Sequence, residues 1–322
     1  MIETIKFVKV ALSKADCEPE RRCFLIRNRT ITATNGALLI RAPIAIDLNC
    51  CPLGEQFFQA IEACSETVSL HLNAGKLIVK SGRFKSSVSC LDESKFPAFT
   101  PAGPILPIKS PILPILKKLL PFVSGDETRP WACGILFSNN SAFATNNVSI
   151  VEHYIPVCFP AICNIPVAAI KELVRLNIEP HSMQVEERKV TFHLPGGAMF
   201  CSILSVRGWP DLSNVFSDMK NFKGDFMSGE ILKQFLADCK KITPFAESRF
   251  PLVRFKGHLV AINDMQSETI IETPSCPSEG VFTPSQVACL SGVDRVGWGS
   301  YPKPVPFYGD KFRGVLFCFK DS

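Results

Sequence analysis

Hydrophobic and polar positions follow the same order three times along this chain. In each copy a helical pattern and an apolar strand come before a polar turn, and a strand, a short helix and two or three strands follow it. The turn reads Ala33-Thr34-Asn35, then Ala144-Thr145-Asn146, then Ala261-Ile262-Asn263. The copies are 111 (144 − 33) and 117 (261 − 144) residues apart, which is the length of a domain and not of a solenoid repeat. The pattern predicts three similar domains.

Runs of β-branched and aromatic residues bounded by Gly, Pro and Asn predict the strands. The predicted strands lie at 23–26, 38–40, 76–80, 87–90, 134–137, 149–151, 189–194, 200–204, 251–255, 269–271, 295–298 and 314–319. Each copy also has two amphipathic helical stretches. The predicted fold class is therefore α+β, with two helices packed on antiparallel sheets in each of three repeated domains.

Two pairs of an aromatic residue and a proline separate the copies. Phe96-Pro97 closes the first and Trp209-Pro210 closes the second. An aromatic residue can anchor the chain in a core, and the proline after it disfavours both helix and ladder pairing. The predicted domains are residues 1–98, 99–213 and 214–322.

Composition limits the classes of protein that fit. The chain has 322 residues, of which 46% are hydrophobic, and no apolar run reaches the roughly 18 residues of a membrane span. The N-terminus lacks the pattern of a signal peptide. The fourteen cysteines form no Cys-x-x-Cys and lie mostly in apolar strands, which favours reduced core thiols. We expect a soluble, cytoplasmic protein without membrane contact; Cys50-Cys51 has no assigned chemistry.

Motifs for catalysis are absent from the sequence. There is no phosphate loop, nucleophile elbow or His-Glu-x-x-His, and the five histidines are scattered. Isolated histidines in strands are more often ordinary surface or core residues than ligands. The sequence predicts a protein that is not an enzyme and that has no cofactor and no metal site.

The ordered set of features resembles the bacterial sliding clamp family, the beta processivity subunit of DNA polymerase III. The resemblance rests on the Ala-Thr-Asn-Gly turn, the Ser81-Gly82-Arg83 turn, the Phe-Pro exits and the final apolar strand, at domain-length spacing over essentially the whole chain. The second and third turns depart from the family, since Asn146-Asn147 and Asn263-Asp264 replace its Asp-Gly. This departure indicates a divergent relative, of the kind that a phage or mobile element carries.

The resemblance implies a ring formed by a dimer, which encircles duplex DNA and tethers a replicative polymerase. Basic residues lie off the apolar stripes of several helices, which by itself is also what an ordinary solvated helix face shows. In the family such helices line the central hole and contact phosphates without reading bases. The second helix of the first copy carries Glu55 and Glu62 instead of basic residues, so the expected lining is uneven. The predicted DNA-binding residues are Lys9, Lys14, Lys117, Lys118, Lys171, Arg175, Lys240 and Lys241.

The resemblance also implies a hydrophobic cleft between the second and third domains. In the family this cleft binds short peptides of DNA polymerases, the clamp loader and other partners. The residues at matching positions are Thr145, Asn147, Val148, Ser149, Ile150, Val315, Phe317 and Phe319. An equally good interpretation of the last three, which alternate along a predicted strand, is that they face the core of the third domain.

A head-to-tail homodimer would give the six domains of the ring. The strand from Phe84 to Cys90 is predicted to pair with the third domain of the partner copy, through Phe84, Ser86, Ser87, Val88 and Cys90. The serines stand where the family has bulky apolar residues, which predicts a weaker ring. Two other classes stay open: a three-repeat structural or virion protein, and a clamp-like monomer that binds DNA from one side.

Overall fold

The structure is a computed structural model. It describes residues 1–13, 18–205, 208–211, 215, 216, 219, 222–245, 251–257, 259–263, 268–273, 277 and 279–319. The chain forms two compact units, residues 1–114 with 165–205 and residues 115–164 with 206–322. The first predicted domain belongs to the first unit and the third to the second unit, while the second predicted domain contributes to both.

The three copies contain the same succession of elements. The first consists of α1 (Ile2–Lys9), β1 (Leu25–Arg27), β2 (Thr30–Thr34), β3 (Leu38–Pro43), β4 (Cys51–Pro52), α2 (Gly54–Glu62), β5 (Ser69–Asn73), β6 (Lys76–Ser81) and β7 (Phe84–Leu91). The second consists of β8 (Leu106–Pro107), α3 (Leu113–Leu119), β9 (Gly134–Ser138), β10 (Ser141–Thr145), β11 (Ser149–Tyr154), β12 (Cys163–Pro166), α4 (Val167–Leu176), β13 (Ser182–Val185), β14 (Lys189–His193) and β15 (Met199–Ile203). The third consists of β16 (Met227–Ser228), α5 (Gly229–Ile242), β17 (Leu252–Lys256), β18 (Leu259–Asn263), β19 (Glu268–Glu272), β20 (Glu279–Phe282), α6 (Pro284–Cys289), β21 (Arg295–Val296), β22 (Val305–Gly309) and β23 (Phe312–Leu316). The predicted α+β repeat is confirmed.

Antiparallel sheets organise the first unit. One sheet has the order β4-β7-β6-β5, and a seven-stranded sheet has the order β1-β2-β3-β15-β14-β13-β8. In the larger sheet β3 and β15 pair with Leu39 opposite Cys201. α1 buries Ile5 and Val8, as its apolar stripe predicted.

The second unit repeats this arrangement. A four-stranded sheet has the order β19-β18-β17-β20, and an eight-stranded sheet has the order β12-β9-β10-β11-β23-β22-β21-β16. The core of the third copy is aromatic: the rings of Phe235 on α5 and Phe255 on β17 have centroids 4.9 Å apart. Trp298 lies 5.3 Å from Phe255 and from Phe282. These four rings form one buried aromatic cluster against α5.

The repeated turn is held by the same hydrogen bonds in the first and second copies. The Thr34 hydroxyl donates to the carbonyl oxygen of Leu38 at 2.8 Å, and Thr145 donates to that of Ser149 at 2.7 Å. The residue two positions after each threonine has positive φ, +91° at Gly36 and +72° at Asn147. Asparagine tolerates this left-handed region better than most residues. The loss of glycine from the second turn is therefore compatible with the same backbone.

Some predicted elements differ in their bounds. Among the strands that the pattern missed, β2, β5, β10 and β13 are short and mix polar residues with apolar ones. The pattern also missed β4, β8, β12, β16, β18, β20 and β22. β21 ends at Val296 and β23 at Leu316, so Phe317 and Phe319 follow the last strand instead of lying on it.

The buried face of α4 carries Ala169, Ile170 and Leu173, and Val167 and Val174 flank it.

Candidate functional site

Three of the predicted cleft residues lie side by side on one face of the eight-stranded sheet. The register places Ile150 of β11 opposite Val315 of β23 and opposite Thr145 of β10. Beyond the end of β23, the Phe317 amide donates to the carbonyl oxygen of Val148 at 2.9 Å. The order of the strands thus joins residues of the second and third copies that are far apart in sequence.

Gln286 ties the two edges of this surface together. Its side-chain nitrogen donates to the carbonyl oxygen of Val148 at 3.1 Å and to that of Phe317 at 2.7 Å. The residue is fully buried, and it is the third residue of α6, whose capping box with Thr283 fixes its position. Sequence reasoning missed Gln286, although the run Thr283-Pro284-Ser285-Gln286 carries the capping-box pattern.

The predicted cleft residues divide into supporting and accessible ones. Thr145 and Ser149 are buried, and the Thr145 hydroxyl is used by the turn. Asn147 accepts a hydrogen bond from Arg129 at 3.0 Å. Four apolar side chains are at least partly exposed: Val148, Ile150, Phe317 and Phe319, the last at 37%.

An apolar cluster lies on the same face. Val315 is buried at 3% exposure together with Phe216 and Met219, and the side chains packed against this cluster are Phe143, Ile150, Val215, Tyr308 and Phe317. The interpretation that Val315 simply faces a core is therefore partly right, since it is covered. The cover, however, comes from the stretch that follows the Trp209-Pro210 exit, which sequence reasoning did not assign to this surface.

A pocket of about 300 Å³ adjoins the cluster. Its lining is formed by Glu152, Tyr154, Tyr308, Gly309, Lys311, Phe312 and Arg313. Glu152 and Arg313 form an ion pair at 2.6 Å, and Glu152 also accepts a hydrogen bond from Ser141. The two charges balance each other and are partly buried, so the net positive charge of the lining comes from Lys311.

The predicted DNA-binding residues fall into two groups. Some have partners within the chain: Lys9 pairs with Glu55 at 3.0 Å, Arg175 with Glu172 at 2.7 Å, and Lys241 with Asp238 at 2.8 Å. The Lys118 ammonium donates to the carbonyl oxygen of Asp310 at 2.7 Å. Lys9 also lies 3.8 Å from the centre of the Phe58 ring.

The remaining described lysines are exposed, as Arg175 and Lys241 also are. Lys117, Lys171 and Lys240 are exposed on α3, α4 and α5. For Lys171 and Lys240 the described residues provide no ion pair within 4.0 Å, so these two charges are available to an anion. Lys14 lies outside the described residues.

The predicted seam strand β7 is not simply an edge strand. It lies between β6 and β4 in its sheet, but β4 pairs only with Cys90 and Leu91. On that side Phe84 to Val88 pair with no described strand, whereas their other side pairs with β6. Val88 is buried at 1%, Phe84 and Ser86 are half-buried and Ser87 is exposed.

Cys50 and Cys51 belong to two separate thiol pairs. Consecutive residues of an extended segment point to opposite faces. Hydrogen bonding to the Cys23 thiol, together with burial, raises the pKa of Cys51, and hydrogen bonding to the Cys90 thiol raises that of Cys50. In the part of the chain that the structure describes, the cysteines are free thiols and no three His, Cys, Asp or Glu residues are placed to hold a metal.

Among the described residues, no helix is long and apolar enough to cross a membrane.

Solved structures of beta sliding clamps are similar to this chain over nearly its full length. The beta sliding clamp of Caulobacter crescentus has a TM-score of 0.81 at 15% identity, and the match covers 99% of this chain and 97% of the Caulobacter crescentus chain. The DNA polymerase sliding clamp of Bacillus subtilis has a TM-score of 0.78 at 16% identity, covering 100% of this chain and 97% of its own. The Helicobacter pylori beta clamp, bound to a DNA ligase peptide, has a TM-score of 0.74 at 14% identity, covering 99% and 97%.

No protein-family model matches the chain. No curated protein matches it either. The structural likeness establishes the fold, which is that of the bacterial beta sliding clamps. The resemblance seen in the sequence is confirmed at this level, and the low identities agree with a divergent sequence.

Proposed function

We propose that this chain is a DNA sliding clamp, a processivity factor without enzymatic activity of its own. The observation that carries the proposal is the sliding-clamp fold over the whole chain, with its three copies of one element order. We assign the copies to domains 1–98, 99–213 and 214–322. Two chains would supply six such domains, and their head-to-tail contact would close a ring around duplex DNA.

Encirclement makes strong DNA contacts unnecessary. A closed ring stays on DNA because of its topology, so exchangeable phosphate contacts suffice and allow sliding. Exposed Lys171 and Lys240 lie on helices of the second and third copies and would supply such contacts. Lys9, Lys118, Arg175 and Lys241 would contribute less, because each already has a partner within the chain.

Complementary edges support a head-to-tail contact between copies. β19 is an edge strand, and Glu268, Ile270 and Glu272 on it are exposed. The unpaired side of β7 is flanked by exposed Arg83 and Lys85. An acidic edge meeting a basic edge favours a heterologous pair over contact between two identical edges. Backbone pairing between β7 and β19 would extend both sheets across the seam.

The surface of Val148, Ile150, Val315 and Phe317 would bind short peptides of a DNA polymerase and of a clamp loader. Val148, Ile150 and Phe317 are partly exposed and Val315 lies buried beside them, and apolar side chains that are partly exposed at a rigid sheet suit a peptide anchor. The Helicobacter pylori clamp, which has the same fold, was solved with a DNA ligase peptide. This likeness supports peptide binding here without identifying the partner.

Electron microscopy of negatively stained protein, combined with light scattering, tests the ring. We expect particles with a central hole and a mass of two 35.5 kDa chains. A trimer, or a monomer that persists at tens of micromolar protein, would contradict a six-domain ring. Either result would favour a one-sided DNA-binding protein or a structural protein.

A further inference from the structure

The chain covers part of its own candidate peptide surface. Phe216 and Met219 are buried at 6% and 4% exposure, and both pack in the cluster that contains Val315. Ile150 and Phe317 pack against the same cluster. An apolar peptide side chain would have to occupy the area that Phe216 and Met219 already fill.

Specific contacts hold this cover in place. The Arg313 guanidinium lies 4.9 Å from the centre of the Phe216 ring, and the Phe143 ring lies 6.1 Å from it. The Tyr308 hydroxyl donates to the carbonyl oxygen of Met219 at 3.3 Å. Cation–π and aromatic contacts therefore fix the Phe216 ring, and the Tyr308 hydrogen bond fixes the backbone at Met219.

We propose that Phe216 and Met219 form an autoinhibitory contact, which a partner peptide must displace in order to bind. The proposal rests on the peptide surface assigned under the proposed function. A peptide that displaces Phe216 and Met219 must make the contacts that these two side chains lose. It should therefore carry an aromatic side chain for the Arg313 site and a second bulky apolar side chain three positions away, which is the spacing of Phe216 and Met219.

Displacement has a measurable consequence for affinity. When a surface is open in only a fraction of molecules, the apparent Kd is the intrinsic Kd divided by that fraction. Replacing Phe216 by alanine would raise the open fraction and should lower the apparent Kd for a peptide by about tenfold or more. If Phe216 were instead part of the binding wall, the same change would raise the Kd.

The test uses the full chain and the variant Phe216→Ala. Phe222→Ala is the matched control, because the half-buried Phe222 ring packs on Phe226, with ring centroids 5.0 Å apart. The Phe222 backbone amide donates to the carbonyl oxygen of Met219, and the substitution keeps that hydrogen bond. One probe is a fluorescent synthetic copy of the DNA ligase peptide seen in the Helicobacter pylori clamp. The second probe is an anilinonaphthalene dye, which reports exposed apolar surface without any partner.

We expect Phe216→Ala to bind the dye more strongly and the peptide about tenfold more tightly, with Phe222→Ala like the wild type. Stronger dye binding without peptide binding by any of the three proteins would support the cover and reject the peptide surface. Unchanged dye binding, or weaker peptide binding by Phe216→Ala, would overturn the autoinhibitory contact. Thermal unfolding of each protein shows that the variants are folded.

Discussion

Gln286 donates its side-chain amide to the backbone carbonyl of Phe317 across 2.7 Å, in an environment without solvent. The same amide group reaches Val148, so one side chain fastens the end of β23 to the start of β11. The candidate peptide surface is thereby built on a buried polar anchor as well as on apolar packing. Such an anchor is costly to break, because the Gln286 amide is fully buried and solvent cannot replace its partners.

Replacing Gln286 by leucine should destabilise the second unit by about 1–3 kcal/mol, since the Phe317 carbonyl would lose the Gln286 donor and α6 would lose the Gln286 half of its capping box. The midpoint of urea unfolding followed by circular dichroism measures this effect. Gln59→Leu is the control, because Gln59 is exposed on α2. If Gln286→Leu unfolds at the same urea concentration as the wild type, the anchor has no energetic importance.

His153 should make the protein less stable in mild acid. Burial and the nearby Lys118 charge lower the pKa of His153, against the opposing influence of Asp310, and Lys311 adds to the lowering. In the folded protein the neutral imidazole is thus favoured, whereas the unfolded chain binds a proton near the ordinary value of about 6.5. The stability from this group is present above that pH and is lost as the pH falls through the lowered folded pKa.

Melting temperatures between pH 7.5 and 5 measure this loss. His153→Leu should flatten the dependence of the melting temperature on pH, because the titrating group is gone. His71→Gln, on exposed β5, should leave the dependence as it is in the wild type. An unchanged slope in His153→Leu would assign the acid sensitivity to other groups.

Ile270 should control the strength of the dimer. It is 48% exposed on edge strand β19, between Glu268 and Glu272. Ile270→Lys would remove apolar area and bring a positive charge towards the basic side of β7, so we expect the dimer dissociation constant to rise about tenfold or more. Sedimentation equilibrium measures this constant. Ile162→Lys, at a residue 61% exposed away from that edge, serves as the control and should dimerise normally.

Exposed and internally paired lysines should differ in their effect on DNA. Lys171→Gln and Lys240→Gln should each weaken association with duplex DNA and lower the salt slope by about one unit or less. Lys9→Gln should change the slope less, because Lys9 pairs with Glu55 and contacts Phe58. Fluorescence anisotropy on two unrelated duplex sequences at several salt concentrations tests this order. A larger loss with Lys9→Gln would contradict it.

The succession of elements could be predicted because it depends on local patterns. The spacing of the turns at Thr34 and Thr145 revealed the repeat, and both threonines make the same hydrogen bond in the structure. The grouping of Ile150 with Val315 was available through the family resemblance. It could not come from local pattern, since pairing between β11 and β23 is a tertiary contact.

Other parts of the site depended on contacts that no local pattern encodes. The burial of Val315 under Phe216 and Met219 joins residues about a hundred positions apart, and the stretch of 215–219 has no periodicity that points to a partner. Internal partners of Lys9 and Lys118 were missed for the same reason. Charge on a helix could be predicted from sequence, whereas its availability to DNA could not.

Retention on closed circular DNA tests encirclement most directly. The protein is assembled on a nicked circular plasmid, passed through a sizing column at a salt concentration that removes direct phosphate contacts, and compared before and after a restriction enzyme linearises the plasmid. A ring should stay with the circle and leave the linear DNA through its ends. Equal retention on circular and linear DNA, or loss from both at that salt concentration, would contradict the sliding clamp and favour one-sided electrostatic binding.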